Sequence, residues 1–201
     1  ENENGHMNTY IGKEAGQFNN GSYNTFLGSG TGRESETALG SVFIGASAGQ
    51  SSNGSANIYI GNMSGVYNTT GTENIFMGYT AGNNNFVGSG NVILGTKAGY
   101  QSKGSKNVFI GYEAGFFEDG SDKLYIDNSY STDPLIFGNF LRDSVAINGE
   151  LSVRDSLRVD GDLRVHGNAI GYYNWQTYSD ATLKSGVSTI SNALALTLQL
   201  R

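Results

Sequence analysis

Acidic side chains are the first candidates for chemistry, because two carboxylates facing each other across a cleft can cleave a glycosidic bond. One group contains Glu118, Asp119 and Asp122, and a second contains Asp160 and Asp162. Both groups fall at predicted turns, where Asp is common for conformational reasons. We therefore interpret them as turn residues and keep a polysaccharide-degrading enzyme as the alternative.

An aromatic-rich turn is the second candidate site. Tyr112, Phe116 and Phe117 lie close together in the sequence, around Gly111 and Gly115. Aromatic rings of this kind can stack on sugars, and they can equally pack between protein chains. We expect a contact between chains first and a ligand surface second.

Composition excludes several other classes of site. The 201 residues carry a net charge of −6 and contain no Cys. An acidic, dilute charge pattern argues against nucleic acid, which requires clustered Lys and Arg. The absence of Cys excludes disulfides and Cys-based zinc sites. No apolar run approaches the ~20 residues of a membrane span, so we expect no membrane insertion, and no motif predicts a cofactor or a metal.

The element that positions these side chains is an internal repeat of 16 or 17 residues. Most units begin with Asn, have an aromatic residue two positions later and then an aliphatic residue, and carry Gly at two further fixed positions. The eight units begin at Asn8, Asn24, Ser41, Asn57, Asn74, Asn91, Asn107 and Lys123. A repeat this short predicts an all-β fold over residues 8–128, a narrow β-solenoid of eight coils with glycines at its corners and a ladder of stacked Asn side chains.

Each predicted strand is apolar on both faces, although a narrow coil has only one interior. One face therefore lies inside the coil and the other between chains, which predicts a homotrimer. We expect the aromatic rings at the interface between chains; the alternative is a monomer with an exposed aromatic stripe. The residues assigned to core or interface are Tyr10, Phe26, Phe43, Tyr59, Phe76, Phe109, Ile44, Ile60 and Ile110.

The flanking segments differ from the repeats. Residues 1–7 are interpreted as a cloning remnant or a disordered leader, and residues 129–144 as a linker. Residues 145–171 repeat every six residues with alternating apolar positions, which predicts a β stalk intertwined between three chains. Residues 172–201 end in helical spacing from Ile190 onward, which predicts a short helix at the truncated start of a further domain.

The last 23 residues resemble the opening of the intramolecular chaperone of endosialidase family. Ser179, Asp180, Leu183 and Lys184 match its Ser-Asp-x-x-Leu-Lys start, and a helix ending in Leu-x-Leu-Arg follows. The family implies a trimeric tail fibre or tail spike whose chaperone domain assembles the trimer and then cuts itself off. By this resemblance, Ser179 would be the nucleophile of self-cleavage and Lys184 its base, a pairing with a sound chemical basis.

The repeats resemble, more loosely, the head repeats of trimeric autotransporter adhesins, whose units form trimeric β-rolls. This second resemblance covers residues 8–127 and implies architecture rather than a ligand.

Together these observations predict a structural and receptor-attachment segment of a homotrimeric, non-enzymatic fibre. Its location would be extracellular, on a phage tail, an injection-apparatus fibre or a bacterial surface. Its expected partners are itself and a cell-surface glycan or protein. The alternatives are a fibre-borne polysaccharide-degrading enzyme and, in a longer protein, a self-cleaving peptidase.

Overall fold

The computed structural model describes residues 5–162, 164 and 166, and the described part is an all-β solenoid. The chain divides into two units, Glu1–Ser152 and Val153–Arg201. The predicted all-β solenoid is confirmed, with about seven turns rather than eight coils. The strands are β1 Thr9–Ile11, β2 Thr25–Leu27, β3 Val42–Ile44, β4 Ile58–Ile60, β5 Ile75–Met77, β6 Val92–Leu94, β7 Val108–Ile110, β8 Lys123–Ile126, β9 Ile136–Asn139 and β10 Ser144–Ile147.

All ten strands form one sheet in sequence order. Strands β1 to β8 pair in parallel with each repeat position opposite its equivalent, so that Tyr10 faces Phe26 and Ile11 faces Leu27. This register makes about seven turns of solenoid. At the usual strand spacing of about 4.8 Å, seven steps extend over about 34 Å.

The aromatic column lies inside the coils of a single chain. Phe26, Phe43, Tyr59 and Phe76 are fully buried, and neighbouring rings stack with centroids 4.7–4.9 Å apart. The expectation that these rings lie between chains is therefore wrong. The aliphatic residues on either side of each ring point outward instead, because side chains alternate along a strand.

Glycine explains why the rings fit inside so narrow a coil. Every strand aromatic of the first seven coils is followed six residues later by a glycine of positive φ, and a Cβ there would press on the ring. On Gly65, at φ +59°, this Cβ would lie 2.6 Å from Cδ2 of Tyr59. Gly40 has nearly the same φ of +61° but has no atom within 4 Å of the Cβ position. The two glycines thus separate the cost of backbone strain from the cost of steric overlap.

Gly65→Ala should destabilise the protein more than Gly40→Ala. Positive φ alone costs a residue with a side chain about 1–2 kcal/mol, and overpacking against Tyr59 adds about 1–3 kcal/mol. Chemical denaturation of both variants measures the difference. Equal losses would mean that the ring does not need the empty space at Gly65.

The Asn residues at the first position of most repeats, called the Asn column here, form the expected ladder. Asn74 illustrates its geometry: its Oδ1 accepts the backbone N–H of Asn91 at 2.9 Å, and its Nδ2 donates to the carbonyl of Gly88 at 2.8 Å. One side chain therefore closes its own coil and joins it to the next. Ser41 occupies the same position in the third coil, where its Oγ accepts the N–H of Asn57 at 3.2 Å.

Two segments differ from the sequence interpretation. Residues 129–144, interpreted as a linker, contain β9 and a 3-10 helix, Phe140–Arg142. Strand β9 pairs antiparallel with β8 and then with β10, so it covers the last parallel edge of the sheet. At the other end, Met7 has φ 57° and Tyr23 has φ 63° at the equivalent corner, which means that residues 5–7 follow the repeat.

The predicted stalk is a strand only in part. Of its residues, 145–147 belong to β10, and the described residues after Ile147 contain no strand. The predicted C-terminal helix lies outside the described residues. Within those residues, no helix has the length and apolar character needed to cross a membrane.

Candidate functional site

The first exposed surface is the strand face, defined here as the outward side chains at the first and third positions of β1 to β7 together with Leu124 and Ile126 of β8. It is aliphatic along most of its length. Ile44 and Ile60 are half-buried, and Ile110 is 37% exposed. None of the residues that the structure describes covers this apolar row, and an uncovered row along eight strands is unusual on a soluble monomer.

The second exposed surface is the far wall, defined as the stretch of each coil that lies across the interior from the strand. Two hydrogen bonds locate it. The Tyr10 hydroxyl lies 2.6 Å from Oδ1 of Asn19, and the Tyr125 hydroxyl lies 2.6 Å from Oε2 of Glu118. The residues flanking Asn19 and its equivalents point away from the interior, on the side opposite the strand face.

The described far wall carries an aromatic cluster at its C-terminal end. Phe116 stacks on Tyr100 with centroids 5.1 Å apart and meets Phe117 edge-on at 4.7 Å. Tyr130 packs edge-on against Phe116 at 5.3 Å and Phe117 at 5.4 Å. Phe117 and Tyr130 remain more than half exposed, so the cluster has ring surface available for a partner.

A cleft of about 160 Å³ opens beside this cluster. Its lining is mostly apolar and aromatic, with one serine, one threonine and one carboxylate. The lining residues are Gly115, Phe116, Phe117, Glu118, Tyr125, Tyr130, Ser131 and Thr132. A concave apolar surface with a few polar groups has the general character of a small-ligand site.

Of the three aromatic residues that the sequence singled out, Phe116 and Phe117 line this cleft and Tyr112 does not. Tyr112 lies near Lys97, whose Nζ is 3.1 Å from Oε1 of Glu113. The hydrogen bond to Glu113 and its negative charge raise the pKa of Lys97. The predicted aromatic site is thus divided between two parts of the coil.

Four of the five candidate carboxylates are engaged in local contacts. Glu118 accepts the N–H of Gly120 through Oε1 and the hydroxyl of Tyr125 through Oε2. Burial and, after it, this bond to Glu118 raise the pKa of Tyr125. Asp119 lies 3.3 Å from the ammonium of Lys103, and Asp160 lies 2.6 Å from Arg158. These contacts fit the interpretation of the carboxylates as turn residues.

Asp162 pairs more loosely, 3.8 Å from Arg164. In the part of the chain that the structure describes, no group of three His, Cys, Asp or Glu residues is arranged to hold a metal ion. Ser179 and Lys184, the two residues assigned to self-cleavage, lie outside the described residues.

Sequence reasoning missed Tyr100 and Tyr130 as members of the cluster. Tyr100 stands one repeat before Phe116, so the repeat register alone stacks them. Tyr130 follows the last parallel strand, where the repeat pattern stops, and no periodicity indicates its position.

No family model, curated protein or solved structure matches the chain.

Proposed function

We propose that this chain is a structural and attachment segment of an extracellular fibre, assembled as a homotrimer and without enzymatic activity of its own. The observation that carries the proposal is the uncovered aliphatic strand face. In a monomer this face would expose Ile11, Leu27, Ile58, Met77 and Ile110 to water along the solenoid. Burial of apolar area contributes about 25 cal/mol per Å², so association along this face is favourable.

The six-residue repeat that follows supports assembly independently. Leu151 and Leu157 are about 60% exposed in one chain, and Val153 and Val159 are also exposed. Short alternating segments of this kind do not form a stable domain alone. Three copies winding about a common axis would cover them. The resemblances of the head repeats and of residues 179–201 favour three chains over two.

In such a trimer the strand faces would lie toward the axis and the far walls toward solvent. The stack of coils then serves as a rod, and its far wall serves as the surface for a receptor. A cell-surface glycan or protein, on a host cell or a neighbouring bacterium, is the receptor class that this arrangement suits. A tail fibre, an injection-apparatus fibre and a surface adhesin share this design.

Sedimentation equilibrium should give about three times the 21.4 kDa chain mass. Ile60→Lys should shift the protein toward monomer, because three ammonium groups would be buried together near the axis. The matched control is Asn20→Lys, which adds the same charge on the exposed far wall. A folded monomer of the unsubstituted chain at micromolar concentration would contradict the proposal.

A further inference from the structure

The far wall is held together by backbone hydrogen bonds that run from each coil to the next. In each of the first six coils, the N–H of the second conserved-position glycine and the N–H two residues later donate to carbonyls of the following coil. In the sixth coil these donors are Gly99, bonded to the carbonyl of Ala114 at 2.9 Å, and Gln101, bonded to that of Phe116 at 2.8 Å.

The seventh coil lacks this support, because the chain leaves the solenoid after β8 and the described residues build no eighth far wall. The equivalent donors are the backbone N–H groups of Gly115 and Phe117, and neither is hydrogen-bonded to any of the described residues. The carbonyls of the same two peptide units already accept bonds from Gly99 and Gln101. This end of the far wall therefore presents hydrogen-bond donors without matching acceptors.

Both donor residues line the aromatic cleft. The rings of Phe116, Phe117 and Tyr130 form its apolar side. The side chains of Ser131 and Thr132 add hydroxyl groups. Aromatic surface beside a few fixed polar groups is suited to a ligand that has one apolar face and several acceptors.

The charges around the cleft restrict the class of ligand further. The one carboxylate of the lining, Glu118, has both oxygens hydrogen-bonded, and nearby Asp119 is paired with Lys103. No Lys, Arg or His is among the lining residues. An anionic ligand would meet negative charge without a compensating cation, so the donors are suited to neutral acceptors.

We propose that this cleft binds a neutral pyranose that carries an acceptor such as an N-acetyl carbonyl. The pyranose lies against Phe117 and Tyr130, and its acceptors receive the N–H groups of Gly115 and Phe117. A peptide strand added to this end of the far wall fits less well than a sugar. It would bring N–H groups as well as carbonyls, and the carbonyls of these two peptide units already accept bonds. The inference rests on the proposed attachment function and gives it a location and a ligand class.

Amide hydrogen exchange tests the donors directly. In the sugar-free trimer, the exposed Phe117 should exchange close to the rate of an unstructured chain, and the buried Gly115 should exchange faster than Gly99. Gly99 and Gln101, the equivalent positions one coil earlier, should be protected and are the matched controls. If Gly115 and Phe117 are already protected in the trimer, another protomer occupies the cleft and the sugar proposal is wrong.

Titration with chitohexaose, cellohexaose and maltohexaose tests the ligand. We expect chitohexaose to bind and to slow exchange at Gly115 and Phe117. Phe117→Ala and Tyr130→Ala should each weaken binding about tenfold, the loss expected for a ring at the centre of a contact. Phe86→Ala, an exposed ring elsewhere on the far wall, should leave binding unchanged.

Sedimentation of every variant separates this proposal from the fibre proposal. Failure of all three oligosaccharides to bind an intact trimer would overturn the sugar site and leave the fibre proposal standing. Binding that is unaffected by both cleft variants would also overturn the site. Sugar binding by a monomeric chain would support the site and contradict the trimer.

Discussion

Phe76→Ala should lower the free energy of unfolding by about 3–5 kcal/mol per chain, the usual loss for a buried aromatic residue. Phe76 is fully buried, and its ring stacks 4.9 Å from that of Tyr59. Its removal leaves a cavity in a coil that is one side chain wide, so no second layer of side chains can move in to fill it. Urea denaturation followed by circular dichroism measures the loss.

The control for this prediction is Phe86→Ala, which removes the same side chain from the same coil. Phe86 is 44% exposed on the far wall, and its nearest ring is Tyr67, 6.3 Å away. We expect a loss below about 1 kcal/mol there, because most surface substitutions change stability little. Similar losses at both positions would mean that the strand aromatics are not the core.

Asn74→Ala should cost about 3 kcal/mol, although Asn74 contributes almost nothing to the apolar core. The side chain is buried and makes bonds to the N–H of Asn91 and the carbonyl of Gly88. Its truncation leaves the N–H of Asn91 buried and unpaired, at about 1–3 kcal/mol. It also removes the shorter of the two amide bonds to the Gly88 carbonyl, which then keeps only the bond from Nδ2 of Asn68 at 3.3 Å. The same denaturation experiment applies.

Asn74→Ser is the comparison that isolates the ladder. The third coil shows that a serine hydroxyl in this column still accepts the N–H of the next coil, as Ser41 does from Asn57. The serine variant should therefore recover part of the loss. If serine and alanine destabilise equally, the bond along the ladder contributes nothing and only the closure of the coil matters.

The repeat made the solenoid and its Asn ladder predictable, because 16 or 17 residues allow one short coil and place equivalent side chains above one another. The alternation of side chains along a strand could not decide which face lies inside the coil. Both faces are apolar, so the same pattern fits either face as the interior. The sequence does contain the deciding signal. A glycine stands six residues after Phe43, and another stands six after Phe76, and each leaves room for the ring of its own coil.

The end of the solenoid was less predictable than its middle. Strand β9 lies beyond Pro134 in a polar stretch, and its pairing depends on the exposed edge of β8 rather than on a local pattern. The free N–H groups of Gly115 and Phe117 follow from where the stack stops. The repeat predicts the contacts between one coil and the next. It does not predict which groups stay unbonded on the last coil, which has no coil after it.

The serine in the third coil has a mechanical consequence. Along the Asn column, the backbone N–H that begins each coil bonds to the side chain of the coil before it at 2.8–2.9 Å, except at Ser41, where the distance is 3.2 Å. The Ser41 side chain is also too short to donate to a carbonyl at the end of its own coil, as the Asn side chains do. In the fibre proposed above, the solenoid would be pulled along its axis, and the tension would pass from each coil to the next. Under such a load we expect the junction above Ser41 to yield first, because a single hydroxyl there replaces the amide of the other coils.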